Sequence, residues 1–227
     1  MITTVVFDLD DTLYDEIDYC KSGFAAVADF LADLPNSPTA DHIFDCLWKQ
    51  FTAGNRTKTF NSALEQLGID CHDNLIDELI KVYRNHVPKI TLPAESTDVL
   101  RRLSGKYTLA LLTDGFLPAQ QLKVQALQLE KYFNCIVYTE QLGRRYWKPS
   151  PEGFKKIMES LNIKPQNTVF VADNEKKDFI APNKLGFFTI QIIHPARIHT
   201  EPADKPDGAA HYIIHEISQL PGLLQKL

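Results

Sequence analysis

Several features that mark special classes of protein are absent from this chain of 227 residues. It has only four cysteines, and their scatter without a C-x-x-C pair argues against a zinc site and a disulfide framework. They are Cys20, Cys46, Cys71 and Cys135. No run approaches the ~20 apolar residues of a membrane helix, and no basic and apolar leader precedes the first predicted strand. These absences predict a cytoplasmic protein with free thiols and no membrane partner.

An excess of positive charge is also lacking. The formal net charge is -5 at pH 7, so the chain lacks the excess of basic residues that is typical of nucleic-acid-binding proteins. A small anionic partner would need a local group of basic side chains. The hydrophobic content of 44% and charged content of 23% are ordinary for a globular protein. The length allows one substantial domain, or one domain with a smaller insert. None of these properties determines the oligomeric state.

Short apolar runs rich in β-branched residues predict six strands, separated mostly by stretches with helical spacing. The predicted strands are Thr3–Phe7, Thr108–Leu112, Cys135–Tyr138, Thr168–Val171, Phe187–Ile193 and His211–Ile214. Strands that alternate with helices are typical of a mainly parallel sheet that carries helices on both faces. The sequence therefore predicts an α/β fold.

One long interval breaks this alternation, because it contains amphipathic helical stretches and no strand pattern. These stretches are Tyr19–Leu31, Asp41–Phe51, Phe60–Leu67 and Asn74–His86. Pro88 and Pro93 bracket the return to the strand pattern, and a proline disfavours helix in the residue before it. We therefore expect an all-helical domain at residues 15–92, inserted into a core domain formed by residues 1–14 and 93–227.

Acidic side chains directly follow the first predicted strand, in the segment Val5-Val6-Phe7-Asp8-Leu9-Asp10-Asp11-Thr12. Open α/β sheets hold their ligands at the carboxyl ends of strands, which makes Asp8 and Asp10 candidate catalytic residues. Two nearby carboxylates repel unless a cation, a proton or a donor offsets their charge. Metal-assisted attack by a carboxylate beside a proton carrier uses such a pair. An Asp-rich loop that caps the next helix is the alternative.

The predicted strand Thr108–Leu112 is followed by Thr113, Asp114 and Gly115. A strand end of this kind can offer a hydroxyl group and backbone N–H groups to the oxygens of an anion. An ordinary Asp-Gly turn is the alternative for this segment. The segment alone does not decide between an anion site and a turn.

A single lysine lies between an aromatic residue and a proline in the segment Trp147-Lys148-Pro149-Ser150-Pro151. The two prolines restrict the backbone around Lys148, so its ammonium group is a candidate fixed positive charge. Most lysines are exposed, and a solvated surface lysine is the alternative.

Two further carboxylates follow the predicted strand that ends at Val171. Asp173 comes directly after this strand, and Asp178 follows five residues later. Asp173 is a candidate partner of Asp8 in a magnesium site, because Mg²⁺ prefers a few oxygen ligands and keeps several waters. Asp178 is a candidate supporting residue that orients Lys148 or a metal-bound water. The alternative for Asp178 is a cap on the next helix.

Together these residues resemble the motifs of the haloacid dehalogenase superfamily, hydrolases with an aspartate nucleophile. The segment Asp8 to Thr12 resembles the first motif, Thr113 the second, Lys148 the third, and Asp173 with Asp178 the fourth. The resemblance covers essentially the whole chain. It implies a Rossmann-like core domain and a helical cap domain placed early in the chain.

The resemblance implies that Asp8 attacks phosphorus to form an aspartyl-phosphate. Asp10 would protonate the leaving oxygen and later deprotonate the hydrolytic water. Asp8, Asp173 and the backbone carbonyl of Asp10 would hold Mg²⁺, while Lys148 and Thr113 bind phosphoryl oxygens. Asp10 favours a phosphatase over a dehalogenase, because displacement of halide needs no protonated leaving group. The expected function is therefore magnesium-dependent hydrolysis of a small phosphomonoester metabolite.

Two residues depart from the usual pattern of the family. Ala172 stands where many members carry glycine, and we expect only a small backbone adjustment there. Asp114 stands where asparagine is common and adds a negative charge near the phosphate site. The sequence leaves two alternatives for Asp114: its side chain points away from the substrate, or it faces a substrate cation.

The identity of the substrate is not determined by these motifs, and a sugar phosphate, a nucleoside monophosphate and flavin mononucleotide all remain open. Asp114 and Gly115 at the strand end, and Arg56 and Lys58 in the helical insert, are candidate substrate residues. A solvated connector is the alternative for Arg56 and Lys58. A phosphomutase of the same superfamily and a non-catalytic phosphate-binding module are the alternative functions.

Overall fold

The computed structural model describes residues 1–202 and 206–227. Contacts between Cα atoms divide the chain into two compact units. The first unit consists of Met1–Ile17 and Thr91–Leu227, and the second consists of Asp18–Ile90. Within the described ranges, no helix is long and apolar enough to cross a membrane.

The first unit is built on a six-stranded sheet with the strand order β3-β2-β1-β4-β5-β6. All five neighbouring pairs of strands are parallel. The strands are β1 (Thr4–Phe7), β2 (Thr108–Thr113), β3 (Cys135–Tyr138), β4 (Thr168–Ala172), β5 (Phe188–Ile192) and β6 (Tyr212–Ile214). Each lies within a residue or two of its predicted bounds.

Helices cover both faces of this sheet, and the α/β prediction is confirmed. Those that lie wholly in the first unit are α5 (Ala94–Ser104), α6 (Ala119–Ala126), α7 (Glu152–Leu161), α8 (Ile180–Leu185) and α9 (Leu220–Leu224). The central strands are buried along their length, as expected for a parallel sheet covered on both sides. Phe154 of α7 packs edge-on against Phe170 of β4, with ring centroids 4.9 Å apart, in the middle of the core.

The position of β1 between β2 and β4 brings three polar strand ends together. Phe7 is level with Leu111 in β2 and with Val171 in β4. The residues that follow these positions therefore emerge at the same edge of the sheet. This register makes the residues after β1, at the end of β2 and after β4 neighbours, although up to about 160 residues of chain separate them.

The second unit is helical. It contains most of α1 (Glu16–Ala32), together with α2 (Ala40–Thr52), α3 (Thr59–Leu67) and α4 (Asp73–Asn85). Phe24 of α1 lies at the centre of its core and makes edge or tilted ring contacts with four aromatic residues, Trp48, Phe51, Phe60 and Tyr83. The aromatic residues at helical spacing thus pack this core.

Candidate active site

Asp8 is the first residue after β1 and is 3% exposed. Its backbone N–H donates to the carbonyl of Val171 in β4, at 2.9 Å, so the ladder between the two strands extends into the site. The Oδ1 atom of Asp8 lies 2.7 Å from Nζ of Lys148. Burial raises the pKa of Asp8 to about 6, although the Lys148 ammonium opposes this shift.

Lys148 is a buried cation between two carboxylates. Its Nζ atom lies 2.7 Å from Asp8 and 2.8 Å from Oδ1 of Asp178, and its side chain is 1% exposed. Burial alone would lower the pKa of this lysine, but Asp178, Asp8 and Asp114 together raise it well above its usual value. Lys148 therefore stays charged at neutral pH, and the solvated-surface alternative does not hold.

Asp173, directly after β4, completes a cluster of three carboxylates. One oxygen from each of Asp8, Asp173 and Asp178 lies within 4.8 Å of the others. Burial, Asp178 and Asp8 raise the pKa of Asp173 to about 9. In the part of the chain that the structure describes, the buried Oδ2 atom of Asp173 has no hydrogen-bond partner. An unpartnered buried carboxylate oxygen among other carboxylates fits a hard divalent cation.

Asp178 closes the loop that follows β4. Its Oδ2 atom accepts a hydrogen bond from the backbone N–H of Asn174, at 3.0 Å, and its Oδ1 atom contacts Lys148. Helix α8 begins two residues later, with Phe179 at its N-cap and no side-chain cap. Asp178 is thus placed to orient Lys148, and the helix-cap alternative does not describe its contacts.

Asp114 uses its carboxylate to hold the backbone beside Lys148. Oδ1 accepts from the hydroxyl of Thr139 at 2.7 Å, and Oδ2 accepts from the backbone N–H of Lys148 at 3.1 Å. Its side chain is 5% exposed, and Nζ of Lys177 lies 3.8 Å from Oδ2. These contacts account for an aspartate at this position, because its charge is directed at protein donors.

Asp10 is held from three sides. Oδ1 accepts from the hydroxyl of Tyr14 at 2.6 Å and from Nζ of Lys123 at 2.7 Å, while Oδ2 accepts from Nε2 of Gln120 at 2.9 Å. Burial alone would raise the pKa of Asp10, but the Lys123 ammonium and these three donors lower it below its usual value. Asp10 is therefore ionised at neutral pH in this arrangement.

Asp11, the third acidic residue of the segment, is a connector. It has a left-handed backbone, with φ of 53°. Its carboxylate accepts from the backbone N–H of Glu16, the first residue of α1, at 2.8 Å and from that of Ile198 at 2.6 Å. The helix-capping alternative for the acidic segment is thus realised by Asp11, while Asp8 and Asp10 make other contacts.

The acidic residues open into a cavity of about 360 Å³ that lies wholly within the first unit. Among its lining residues are four of the predicted ones in the core, namely Asp8, Asp10, Lys148 and Asp173, and also the candidate substrate residues Asp114 and Gly115. Thr113 is buried beside Asp10 and is linked to it through Gln120.

Other residues of this cavity were not singled out from the sequence. They include Glu16, Phe116, Asn174, Lys177 and His199. Burial, Asp10 and Asp11, partly offset by Lys123, raise the pKa of Glu16 to about 7. Gln120 and Lys123, the α6 residues that contact Asp10, were not singled out either. Their spacing was a signal in the sequence, because polar residues three apart on a helix lie on the same face.

Arg56 and Lys58, the candidate substrate residues of the helical insert, belong to the second unit and are exposed. The guanidinium of Arg56 lies 5.6 Å from the centre of the Phe51 ring. Lys58 is the N-cap residue of α3 and makes no side-chain cap hydrogen bond. Their proposed contact with substrate stays a prediction.

Comparisons with known proteins found relatives over most of the chain. The model of the family described as haloacid dehalogenase-like hydrolase matches residues 2–186. The chain is 26% identical over 216 residues to glyceraldehyde 3-phosphate phosphatase of Methanopyrus kandleri, covering 91% of each chain. It is 24% identical to N-acylneuraminate-9-phosphatase of Mus musculus, covering 100% of this chain and 95% of the relative.

Solved structures with the same fold include a 2-haloacid dehalogenase from Pseudomonas syringae pv. Tomato. The TM-score of this pair is 0.67 at 26% identity, with 100% of this chain and 99% of the other covered. Fold and chain length are thus shared with a protein named for a different reaction, so the residues of the site have to decide between the two chemistries.

Proposed function

The chain belongs to the haloacid dehalogenase-like hydrolases, and from this premise we propose that it is a magnesium-dependent phosphatase. Its substrate is a small phosphomonoester metabolite, and the reaction passes through an aspartyl-phosphate on Asp8. The observation that carries this proposal is the meeting of Asp8, Asp10, Lys148 and Asp173 at one buried cavity. These residues supply a nucleophile, a proton carrier, a fixed positive charge and a metal ligand.

The first step needs Asp8 ionised and in line with the phosphorus atom. Lys148, which contacts Asp8 directly, binds an incoming phosphoryl oxygen and offsets the negative charge that two anions bring together. Thr113 would donate its hydroxyl proton to another phosphoryl oxygen in place of the long 3.4 Å contact that this hydroxyl makes with the Asp114 carbonyl, while Gln120 continues to donate to the Thr113 oxygen. Positioning and charge neutralisation are the main needs of phosphoryl transfer.

Asp10 carries the proton in both steps. A phosphate dianion in the cavity favours the protonated form of the nearby carboxyl, so Asp10 gains a proton as the substrate binds and gives it to the leaving oxygen. The resulting carboxylate is stabilised by Lys123, at 2.7 Å, and is the form that then takes a proton from the hydrolytic water. The same residue thus serves as acid and then as base.

Asp8, Asp173 and the backbone carbonyl of Asp10 would hold the metal ion. Mg²⁺ suits a set of hard oxygen donors, and the buried Asp173 oxygen that has no hydrogen-bond partner among the described residues would be one of them. When bound, the ion neutralises negative charge on the phosphoryl group and on Asp8. Asp178 stays with Lys148 and Asn174 in this assignment.

Asp10 also separates this function from dehalogenation, the reaction named for one protein of the same fold. Displacement of a halide needs no proton on the leaving group and no cation on the nucleophile. The proton donation assigned to Asp10 and the metal binding assigned to Asp173 are therefore not needed for the displacement step of that reaction. Both residues have a role in phosphate-ester hydrolysis.

The substrate class is supported by the relatives, two of which are named for the removal of phosphate from small metabolites. We propose that residues 15–92 form the cap that selects among such metabolites, with Arg56 and Lys58 as candidate contacts. A phosphomutase is the second candidate function. A requirement for a sugar bisphosphate primer would favour it over hydrolysis.

Purified protein supplied with Mg²⁺ is expected to release inorganic phosphate from several compounds in a screen of phosphorylated metabolites. Chelation of the metal should abolish this release, and added Mg²⁺ should restore it. The same protein should release no halide from 2-haloacids. Halide release without phosphate release would contradict the proposed function, and so would phosphate release that is unchanged by chelation.

Metal-free protein is expected to become less stable as the pH rises from about 5 to about 9. Asp173 has a folded-state pKa of about 9, well above the ~3.9 of an unfolded aspartate. Between these values the folded state binds a proton that the unfolded state lacks, so stability falls with rising pH. Asp8 and Glu16, whose pKa values are raised to about 6 and about 7, add to this fall at lower pH. Between about pH 7 and 9 the single proton of Asp173 limits the slope to about 1.4 kcal/mol per pH unit.

The melting temperature, measured with a chelator and with excess Mg²⁺, checks this expectation and the metal site together. Mg²⁺ should raise the melting temperature most at high pH, because it binds the ionised carboxylates of the folded state. Asp173→Asn should flatten the pH dependence and remove the stabilisation by Mg²⁺. The exposed Asp18→Asn is the matched control. An equal Mg²⁺ effect in Asp173→Asn and Asp18→Asn would contradict the assignment of Asp173.

A further inference from the structure

We infer that Gln120 and Lys123 are positioning residues that fix the Asp10 carboxylate for proton transfer and tie it to Thr113. This inference rests on the proposed function, in which Asp10 is the proton carrier and Thr113 binds phosphate. It assigns a role to helix α6, which contributes no residue to the motifs found in the sequence.

The side chains of Gln120 and Lys123 both point toward the Asp10 carboxylate. Gln120 and Lys123 lie three residues apart on α6 and therefore share one face of the helix. Gln120 Nε2 donates to Oδ2 of Asp10 at 2.9 Å, and Lys123 Nζ donates to Oδ1 at 2.7 Å. Each carboxylate oxygen thus has its own donor from α6, so rotation of the carboxylate would break both contacts.

Both side chains are buried. Gln120 is 2% exposed and Lys123 is 3% exposed, and residues of these types are rarely so buried unless they are paired. The Lys123 side chain loses its water to reach an Asp10 carboxylate that is itself 17% exposed. Such an arrangement holds the carboxylate in one orientation at the wall of the cavity.

Gln120 bridges Asp10 and Thr113. The same Nε2 group lies 2.6 Å from Oγ1 of Thr113 as well as 2.9 Å from Asp10. The proton carrier and the phosphate-binding hydroxyl are thereby set at a fixed separation. A proton donor and the phosphoryl group must be aligned within a fraction of an ångström for efficient transfer.

Because Gly115 has no side chain, there is room beside it for the side chain of Gln120. A Cβ atom at this position would lie 2.7 Å from Cδ of Gln120. The backbone φ of +139° is also one that residues other than glycine rarely adopt. The glycine of the Asp-Gly segment therefore has a structural reason that involves the same pair. Gly115 was a candidate substrate residue, and its contact with Gln120 gives it a supporting role.

The test compares leaving groups. An aryl phosphate with an acidic phenol, such as para-nitrophenyl phosphate, needs little help from a proton donor, whereas an alkyl phosphate needs much. Lys123→Met should lower kcat/KM for an alkyl phosphate on the order of 10²-fold, but for the aryl phosphate by about tenfold or less. This ratio reports the steps up to release of the alcohol. Equal losses for the two substrates would overturn the inference.

A double-mutant cycle gives a second readout. If Lys123 acts through Asp10, the double variant Asp10→Asn/Lys123→Met should lose no more kcat/KM for the alkyl phosphate than Asp10→Asn alone. A further loss in the double variant, as large as that of Lys123→Met in the wild-type background, would show that Lys123 acts independently of Asp10. That result would overturn the inference.

A fold check and a matched control complete the experiment. Lys155→Met removes an exposed lysine that pairs with Glu152, and it should leave the activity toward both substrates unaffected. If the melting temperature shows that Lys123→Met does not fold, Gln120→Met takes the same two tests and decides them. A wild-type protein that releases no phosphate refutes the proposed function. An active wild type with equal losses in the variants refutes this inference alone.

Discussion

Replacing Asp8 with asparagine is expected to lower the turnover of a phosphomonoester on the order of 10⁵-fold. The amide cannot attack phosphorus to form the acyl-phosphate, and among the residues that the structure describes the other carboxylates that line the cavity make no ion pair with Nζ of Lys148. The neighbouring Asp173 belongs to the carboxylate cluster that we propose holds the metal ion, and Asp178 pairs with Lys148. Residual turnover would come from direct attack by water, which positioning and Lys148 still assist.

The measurement is the release of inorganic phosphate with Mg²⁺, beside the exposed control Asp18→Asn, which should keep wild-type turnover. The fold should remain, because asparagine preserves the size of the side chain and Lys148 keeps Asp178 as its partner. A folded Asp8→Asn protein with turnover within about tenfold of wild type would remove Asp8 from the role of nucleophile.

Replacing Lys148 with methionine is expected to cost about 3–5 kcal/mol of unfolding free energy as well as most of the activity. The change leaves Asp8 and Asp178 as buried carboxylates without the ammonium group that lies 2.7 and 2.8 Å from them. Asp173 completes the same cluster, so the remaining negative charges repel one another. Phosphate binding is lost with the positive charge.

Denaturant unfolding of the variant, with and without Mg²⁺, separates these effects. Mg²⁺ should restore part of the lost stability, because it offsets the same carboxylates, but it should not restore turnover. Lys155→Met is the control that removes an exposed lysine, and its unfolding free energy should stay within about 0.5 kcal/mol of wild type. A loss in Lys148→Met no larger than that of the control would contradict the role of Lys148.

Most of the site residues that the sequence predicts lie at the carboxyl ends of strands. Apolar β-branched runs identify β1, β2 and β4, and parallel strands in one sheet bring their carboxyl ends to one edge. Asp8, Thr113 and Asp173 are found at that edge for this reason. The prediction needed no contact distances, because strand direction and local pattern were sufficient.

The contacts of Asp10 and Asp114 could not be predicted in the same way. The donors of Asp10 on α6 come from more than one hundred residues further along the chain. Asp114 accepts a hydrogen bond from the backbone N–H of Lys148, which lies 34 residues further along the chain. Sequence periodicity shows which face of an element is polar, but packing decides which polar groups meet.

The local pattern of the acidic segment Asp8 to Thr12 predicts a functional role for it but does not predict which residue has which role. Catalysis and helix capping were alternative interpretations of the segment, and the structure divides them between neighbours. Asp11 holds the first turn of α1, while Asp8 contacts Lys148 and Asp10 contacts α6. A left-handed residue, with φ of 53°, separates these directions, and the residue types alone do not reveal it.

The central claim is that Asp8 carries the phosphoryl group, and one trapping measurement tests it most directly. Asp10→Asn lacks the base for the second step, yet an aryl phosphate with a good leaving group can still phosphorylate Asp8. Rapid acid quenching of this mixture, followed by mass spectrometry of the peptides, should find one phosphoryl group on Asp8. Release of the phenol and phosphate with no phosphoryl group on Asp8 at any quench time would contradict the account.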